Sequence, residues 1–187
     1  MDSGIMVTKV KGNGTSTFGG AISTSESVSA SNVGAGNVLQ VVQSTYTSSA
    51  TIASTSLADV GHNLTITPTS TSSKILIRYS FNWGQIRSAN NTQDHLKRFT
   101  IYRDATNLAP ANSYWFQHQN EVGTSINFGA QTQESTIEYL DSPNTTSAIT
   151  YKLYATSDSS TITIHYNRRA AGANLGVCTA TAMEIAG

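Results

Sequence analysis

Apolar and polar residues alternate with a period of two in four stretches of the chain. The clearest are Lys74-Ile75-Leu76-Ile77-Arg78-Tyr79-Ser80-Phe81-Asn82-Trp83 and Leu96-Lys97-Arg98-Phe99-Thr100-Ile101-Tyr102-Arg103. The pattern returns in Ile149-Thr150-Tyr151-Lys152-Leu153-Tyr154 and in Thr161-Ile162-Thr163-Ile164-His165-Tyr166. Successive side chains of a strand project to opposite faces, so this period marks strands with one face in a core and one in water. Shorter runs at 38–46, 64–67, 114–118, 136–140 and 177–185 fit the same reading. Turn-forming clusters separate them: Asp104-Ala105-Thr106-Asn107, Asp141-Ser142-Pro143-Asn144 and Ser157-Asp158-Ser159-Ser160. Pro68 cannot donate to a ladder and should end the strand before it. No segment sustains helical spacing for three turns. Many short strands with turns at this spacing predict an all-β, jelly-roll-like antiparallel β-sandwich, each sheet keeping one wet face. The terminal Ala180-Thr181-Ala182-Met183-Glu184-Ile185-Ala186-Gly187 stays apolar and small, which predicts a last strand held in the core or between subunits.

Residues 1–36 break this pattern. Gly12-Asn13-Gly14, Gly19-Gly20 and Gly34-Ala35-Gly36 punctuate a Ser- and Thr-rich stretch that cannot offset its ordering entropy by burial of its own. It reads as an extended N-terminal arm of about 120 Å at full stretch, with residues 37–187 forming the β head. Ile5, Val7, Val10, Phe18, Ile22 and Val28 are spaced apolar contacts by which the arm would anchor on a neighbour.

Composition narrows the functions. The chain has 187 residues, only 12% of them charged, with 11 Lys+Arg against 11 Asp+Glu. No net field draws it to nucleic acid or to anionic lipid, so neither partner is expected. Ser and Thr make up about a quarter of the chain, far above ordinary usage, and suit strands and turns. The single cysteine, Cys178, allows no intrachain disulfide, and its apolar neighbours predict a small buried residue. No apolar run is long enough to cross a membrane, and the first residues lack a secretion-signal pattern, so synthesis in a cytoplasm is expected.

Catalytic and metal-binding patterns are weak. His62, His95, His118 and His165 never stand at metal-ligand spacing, and exposed strand or loop positions are the plain expectation for them. Glu121, Glu134, Glu138, Asp141 and Asp158 are numerous enough for a carboxylate pair but lack a frame. There is no Gly-x-Ser-x-Gly elbow and no phosphate-binding loop. We therefore expect no enzyme, no cofactor and no metal. The best candidates for recognition are Tyr114-Trp115-Phe116, where a strand would turn at least one aromatic outward, and the basic positions Arg87, Arg168 and Arg169, although core or trimer packing is the plainer reading of the aromatics and a solvated loop that of the Arg168-Arg169 pair. Trp83, next to Gly84, is expected at the rim of the core.

Several segments resemble small trimeric tail-fibre, head-fibre and decoration proteins of tailed bacteriophages. They are Leu64-Thr65-Ile66-Thr67-Pro68-Thr69-Ser70-Thr71-Ser72-Ser73-Lys74-Ile75-Leu76-Ile77, then Arg98-Phe99-Thr100-Ile101-Tyr102-Arg103-Asp104 with Asn107-Leu108. Tyr139-Leu140-Asp141-Ser142-Pro143-Asn144-Thr145-Thr146-Ser147-Ala148-Ile149-Thr150-Tyr151 and the terminal Met183-Glu184-Ile185 follow in the same order. The resemblance implies a jelly-roll-like domain, assembled as a homotrimer and displayed on a virion surface, bound to the major capsid protein or a tail or fibre component. It brings no catalytic motif and marks these segments as architecture. A short arm without a stalk leans the reading to capsid decoration (cement). The alternative is a fibre head or lectin-like module that attaches the virion to a host surface glycan through its loops.

Overall fold

The computed structural model describes residues 35–87, 95–119, 132–168 and 176–187. All belong to one compact unit, Val33–Gly187. The anchoring positions Ile5, Val7, Val10, Phe18, Ile22 and Val28, together with Glu121 and Arg169, lie outside the described residues.

The described residues contain strands and no helix, so none is long and apolar enough to cross a membrane. In chain order the strands are β1 (Val38–Tyr46), β2 (Ala50–Ile52), β3 (Ala58–Ile66), β4 (Lys74–Arg87), β5 (Leu96–Arg103), β6 (Thr106–Asn107), β7 (Phe116–Gln119), β8 (Gln133–Asp141), β9 (Ile149–Ser157), β10 (Ile162–Tyr166) and β11 (Cys178–Ile185). β1 and β5 fall where the alternation puts them. β3 reaches back to Ala58, and β4 runs past Gly84 to Arg87. β2 and β6, three and two residues long, are too short to carry a period.

Every pairing is antiparallel. One edge of β4 pairs with β8; the other pairs first with β11 and then with β10. β1 and β2 lie in line along the far side of β11 and β10. In the second sheet β9 stands between β3 and β5, and the free edge of β5 takes β7 and then β6. Counting β1–β2, β6–β7 and β10–β11 as single interrupted strands leaves eight rows, four in each sheet. The first row pairs with the eighth, the second with the seventh, the third with the sixth and the fourth with the fifth, and these pairs alternate between sheets. Such nesting is the coil of a jelly roll.

Asn167 holds the interrupted rows in line. Its backbone has φ 56°, a left-handed conformation that asparagine tolerates. Its N–H donates to Asn82 O at 2.8 Å, and Nδ2 donates to Tyr46 O at 3.1 Å and Ser48 O at 2.8 Å. The break between β10 and β11 is thus pinned to the break between β1 and β2.

The core fills from the inward halves of the alternating strands. Ile75, Ile77, Tyr79, Phe81 and Trp83 of β4 face Leu64 and Ile66 of β3, Phe99 and Ile101 of β5, and Tyr151 and Leu153 of β9. Trp83 is 1% exposed, inside the core rather than at its rim. The physical reason is that β4 continues beyond it, and Ser135 Oγ accepts its indole N–H at 3.0 Å. Cys178 is fully buried as expected, and burial pushes its thiol pKa up.

Candidate functional site

The segments that carry the sequence resemblance meet one another as polar ties of the frame. Glu184 of β11 is fully buried; its Oε1 accepts from Thr69 N at 2.7 Å and Thr69 Oγ1 at 2.8 Å, and its Oε2 from Gln40 Nε2 at 2.6 Å. Burial opposes ionisation of Glu184, but the neighbouring Ser73 hydroxyl and the bonds from Gln40 and Thr69 outweigh it and hold the carboxyl below the usual range. Arg103 Nη1 donates to both carboxylate oxygens of Asp141, at 2.9 and 2.8 Å, and Tyr151 Oη donates to Asp141 Oδ2 at 2.7 Å. That triad joins β8 of the first sheet to β5 and β9 of the second. Asp104 accepts from Thr150 N at 2.9 Å and closes the turn after β5.

The histidines differ from expectation. His62, His95 and His165 are buried and His118 is half-buried, because each strand histidine takes an aromatic, arginine or carboxylate neighbour that excludes water. His62 Nδ1 lies 2.6 Å from Tyr166 Oη, with the imidazole stacked on Tyr46 and edge-on to Tyr79. His165 Nδ1 accepts from Arg168 Nε at 3.1 Å, and His95 Nδ1 stands 3.3 Å from Asp158. Burial pushes the pKa of His62 down; burial and then the Arg168 guanidinium do the same for His165. No group of three or more potential metal ligands occurs among the described residues. The acidic residues are dispersed: Glu134 and Glu138 on the outer face of β8, Asp141 inward, Asp158 beside His95.

The residues proposed for recognition separate. Strand β7 starts only at Phe116, so the three aromatics do not share a strand. Phe116 packs on Phe99 and Trp83, and Trp115 lies on Tyr139 with ring centroids 4.7 Å apart. Tyr114 alone joins the outer surface, its ring 4.9 Å beneath the Arg98 guanidinium. Arg168 is held on His165 rather than presented by a loop, and Arg87 closes β4 opposite Ile162.

Two surfaces emerge that alternation alone left unassigned. On the outer face of the first sheet the ladder sets Val41 beside Met183, Met183 beside Leu76, and Leu76 beside Leu140. Val38 and Ile185 form a second pair alongside. Val41 is 57% exposed, Val38 55% and Leu140 45%. The row crosses all four strands, about 14 Å at the usual ~4.8 Å strand spacing. Its neighbour on the side of Tyr79 is polar and charge-balanced: Gln43, Thr181, Arg78 and Glu138.

The outer face of the second sheet carries tyrosines instead. Tyr102 of β5 and Tyr154 of β9 stack with centroids 4.0 Å apart and planes 23° from parallel. Tyr114 is near enough to Tyr102 to influence its ionisation, and burial with these neighbours raises the Tyr102 pKa. Around them stand Lys152, opposite Tyr102; Asp59, opposite Tyr154; Asn63, opposite Lys152; and Gln117, whose Oε1 accepts from Arg98 Nε at 3.5 Å. Thr100, between Arg98 and Tyr102, is fully buried although it points away from the core, so these side chains close over it.

No protein-family model matches this chain, and no curated protein matches it. Among solved structures it is similar to "Structure of infectious bursal disease virus Gt strain", with 12% identity and a TM-score of 0.33 over 90% of this chain and 42% of that chain. It is also similar to "Structure of infectious bursal disease virus Gx strain", with 14% identity and a TM-score of 0.30 over 80% of this chain and 36% of that one. The chain spans less than half the length of either.

Proposed function

We propose that this chain is a non-enzymatic structural protein of a virus particle, displayed on its surface as a homotrimer and serving as a capsid decoration subunit. The observation that carries the reading is the aliphatic row Val41, Met183, Leu76 and Leu140 across the outer face of the first sheet. Apolar area left in water forgoes about 25 cal/mol per Å², and contiguous exposed apolar patches mark interaction sites. The outer face of a jelly-roll sheet needs no such row for folding. The occupant we assign is a second and third copy of the chain. Three such faces turned to a common axis bring equivalent aliphatic side chains together, and Arg78 of one copy meets Glu138 of the next. The balanced charge of the adjoining polar row suits contact with itself. The order of the sequence segments that resemble trimeric virion proteins supports the same reading. In it, residues 1–36 anchor each subunit on the major capsid protein, and three linked arms raise one another's effective concentration.

The test is the mass of the full chain in solution. The expected value is three times 19.9 kDa, falling to the single-chain mass in the double variant Leu76→Lys, Leu140→Lys. A wild-type chain that stays monomeric at high concentration would sink the assembly. Antibody labelling of intact particles then reports location: label spread over the shell fits decoration, and label confined to fibre ends overturns it in favour of attachment.

A further inference from the structure

We propose that the tyrosine face of the second sheet is a saccharide-binding site, in which Tyr102, Tyr154 and Tyr114 form the platform and Arg98, Lys152 and Asp59 the polar rim.

The eight tyrosines divide into two sets: five line the core or its border, and of those five only Tyr139, packed on Trp115, has a hydroxyl with no hydrogen bond among the described residues. Tyr46, Tyr79 and Tyr151 donate their hydroxyls to inward groups, Val60 O, His62 O and Asp141, and Tyr166 shares its hydroxyl with His62. Those rings belong to the core or its border. The hydroxyls of Tyr102, Tyr114 and Tyr154 make no hydrogen bond among the described residues, and these three share one outer face. A buried tyrosine finds a partner for its hydroxyl; a ring with a free hydroxyl at a surface offers an apolar body and a wet polar tip.

The chemistry around the platform selects the ligand. On the outward positions of β3, β5, β7 and β9 the only aliphatic side chain is Leu96, at the far end of β5. The face thus lacks the aliphatic row of the first sheet. Charges of both signs stand close together, with Asp59 opposite Tyr154 and Lys152 opposite Tyr102. Arg98 lies over the Tyr114 ring and its Nε donates to Gln117 Oε1 at 3.5 Å, which fixes it at the rim. Among the described residues at the outward strand positions of this face the cations are Arg98 and Lys152, with Asp59 of opposite sign beside them, which does not select a phosphate or a polyanion. Flat rings beside mixed planar donors and acceptors fit a neutral sugar, whose C–H face stacks on an aromatic ring while its hydroxyls bond the rim. Tyrosine provides that contact at low entropic cost because only two side-chain torsions need ordering. The platform is already assembled, since Tyr102 and Tyr154 are stacked and Arg98 is fixed, so little ordering is left for the ligand to supply.

The probe is an array of immobilised neutral and acidic oligosaccharides, read with the full-length assembled protein. The expected result is retention on one or more neutral sugars, weakened at least tenfold in Tyr102→Ala, Tyr154→Ala and kept in Tyr102→Phe. Saturation-transfer NMR with the retained sugar should place its ring protons against the protein. Lack of retention on every sugar overturns the proposal. So does retention on acidic sugars alone, or retention that survives loss of both rings. If the double variant instead changes the assembly mass, the face is a subunit contact and the site is refuted. A melting curve of each variant separates loss of binding from loss of fold.

Discussion

The outer faces of the two sheets are built on the same scaffold, four antiparallel rows with polar alternation, yet they carry opposite kinds of apolar surface. The first presents valine, leucine, isoleucine and methionine and no aromatic at outward strand positions of β1, β4, β8 and β11; the second presents three tyrosines and a single leucine. An aliphatic side chain gains only when water leaves and has nothing to offer water while it waits. A tyrosine tolerates solvent through its hydroxyl and still stacks when a ligand arrives. The first face is therefore suited to a contact that stays closed and the second to one that opens and closes. A jelly roll needs neither, because its stability comes from the inward faces.

If both faces are carried by one frame, damage to the frame should abolish both. Asp141 is the place to strike, because it links the sheets through Arg103 and Tyr151 and is 4% exposed. Asp141→Ala strands a partly buried guanidinium and a buried phenol, a loss of about 3 kcal/mol for a broken ion pair of this kind. Urea unfolding should show that drop in the midpoint, with sugar retention and assembly failing together. Retention of either function at full strength would mean the two faces fold independently. Next in size is the Leu76→Lys, Leu140→Lys variant, which should lose the assembly while the melting of the separated chain and the tyrosine face persist.

The strands were legible because one face of each meets a core, and alternation follows from that directly. The first six residues of Ile149–Ser157 show this cleanly. β2 and β6 were hidden because two or three residues cannot display a period, and they exist only where a neighbouring row supplies partners. Residues 114–118 misled for a related reason. Three consecutive aromatics look like one strand, but β7 begins only at Phe116, which packs on Phe99 and Trp83, while Trp115 reaches Tyr139 from just before the strand and Tyr114 is left outside. The aliphatic row and the tyrosine pair were invisible because both depend on register. Leu76, Leu140 and Met183 are far apart in sequence, and nothing local sets them side by side. The resembling segments supply the ties of the frame, Glu184–Thr69 and Asp141–Arg103, and also three members of the aliphatic row, Leu76, Leu140 and Met183.

A smaller effect separates frame from faces by pH. His62 and His165 are held neutral in the folded chain, with pKa values below the ordinary ~6.5 of an unfolded histidine. In the window between the folded and unfolded values the unfolded chain binds more protons, so stability rises with pH there. Their contribution is complete above about pH 6.5 and is lost as pH falls towards the depressed folded values. The carboxylate of Glu184 adds a second decline at more acidic pH, below the ordinary ~4.3 of glutamate. Melting temperature should therefore fall between pH 7 and 5, and His62→Gln should flatten that limb. A wild-type melting temperature unchanged across this range would contradict the buried neutral histidine. Neither histidine belongs to the aliphatic row or the tyrosine platform, so both contacts should hold until the frame itself yields.

The smallest effect is the most discriminating. A stacked cross-strand aromatic pair contributes about 0.2–1 kcal/mol to a sheet, so Tyr102→Ala should lower stability by no more than roughly 1 kcal/mol. Tyr102→Phe should cost almost nothing, because the hydroxyl it removes has no partner among the described residues. Tyr151→Phe is the internal control: it removes the bond to Asp141 in the core and should cost about 1–2 kcal/mol. Thermal melts of the three variants rank them. If Tyr102→Phe proved as damaging as Tyr151→Phe, the outer hydroxyl would be part of the frame, and the second face would lose its claim to be a site. If the ranking holds, Tyr102 is a ring whose removal hardly affects folding, as expected of a side chain that serves a contact rather than the frame.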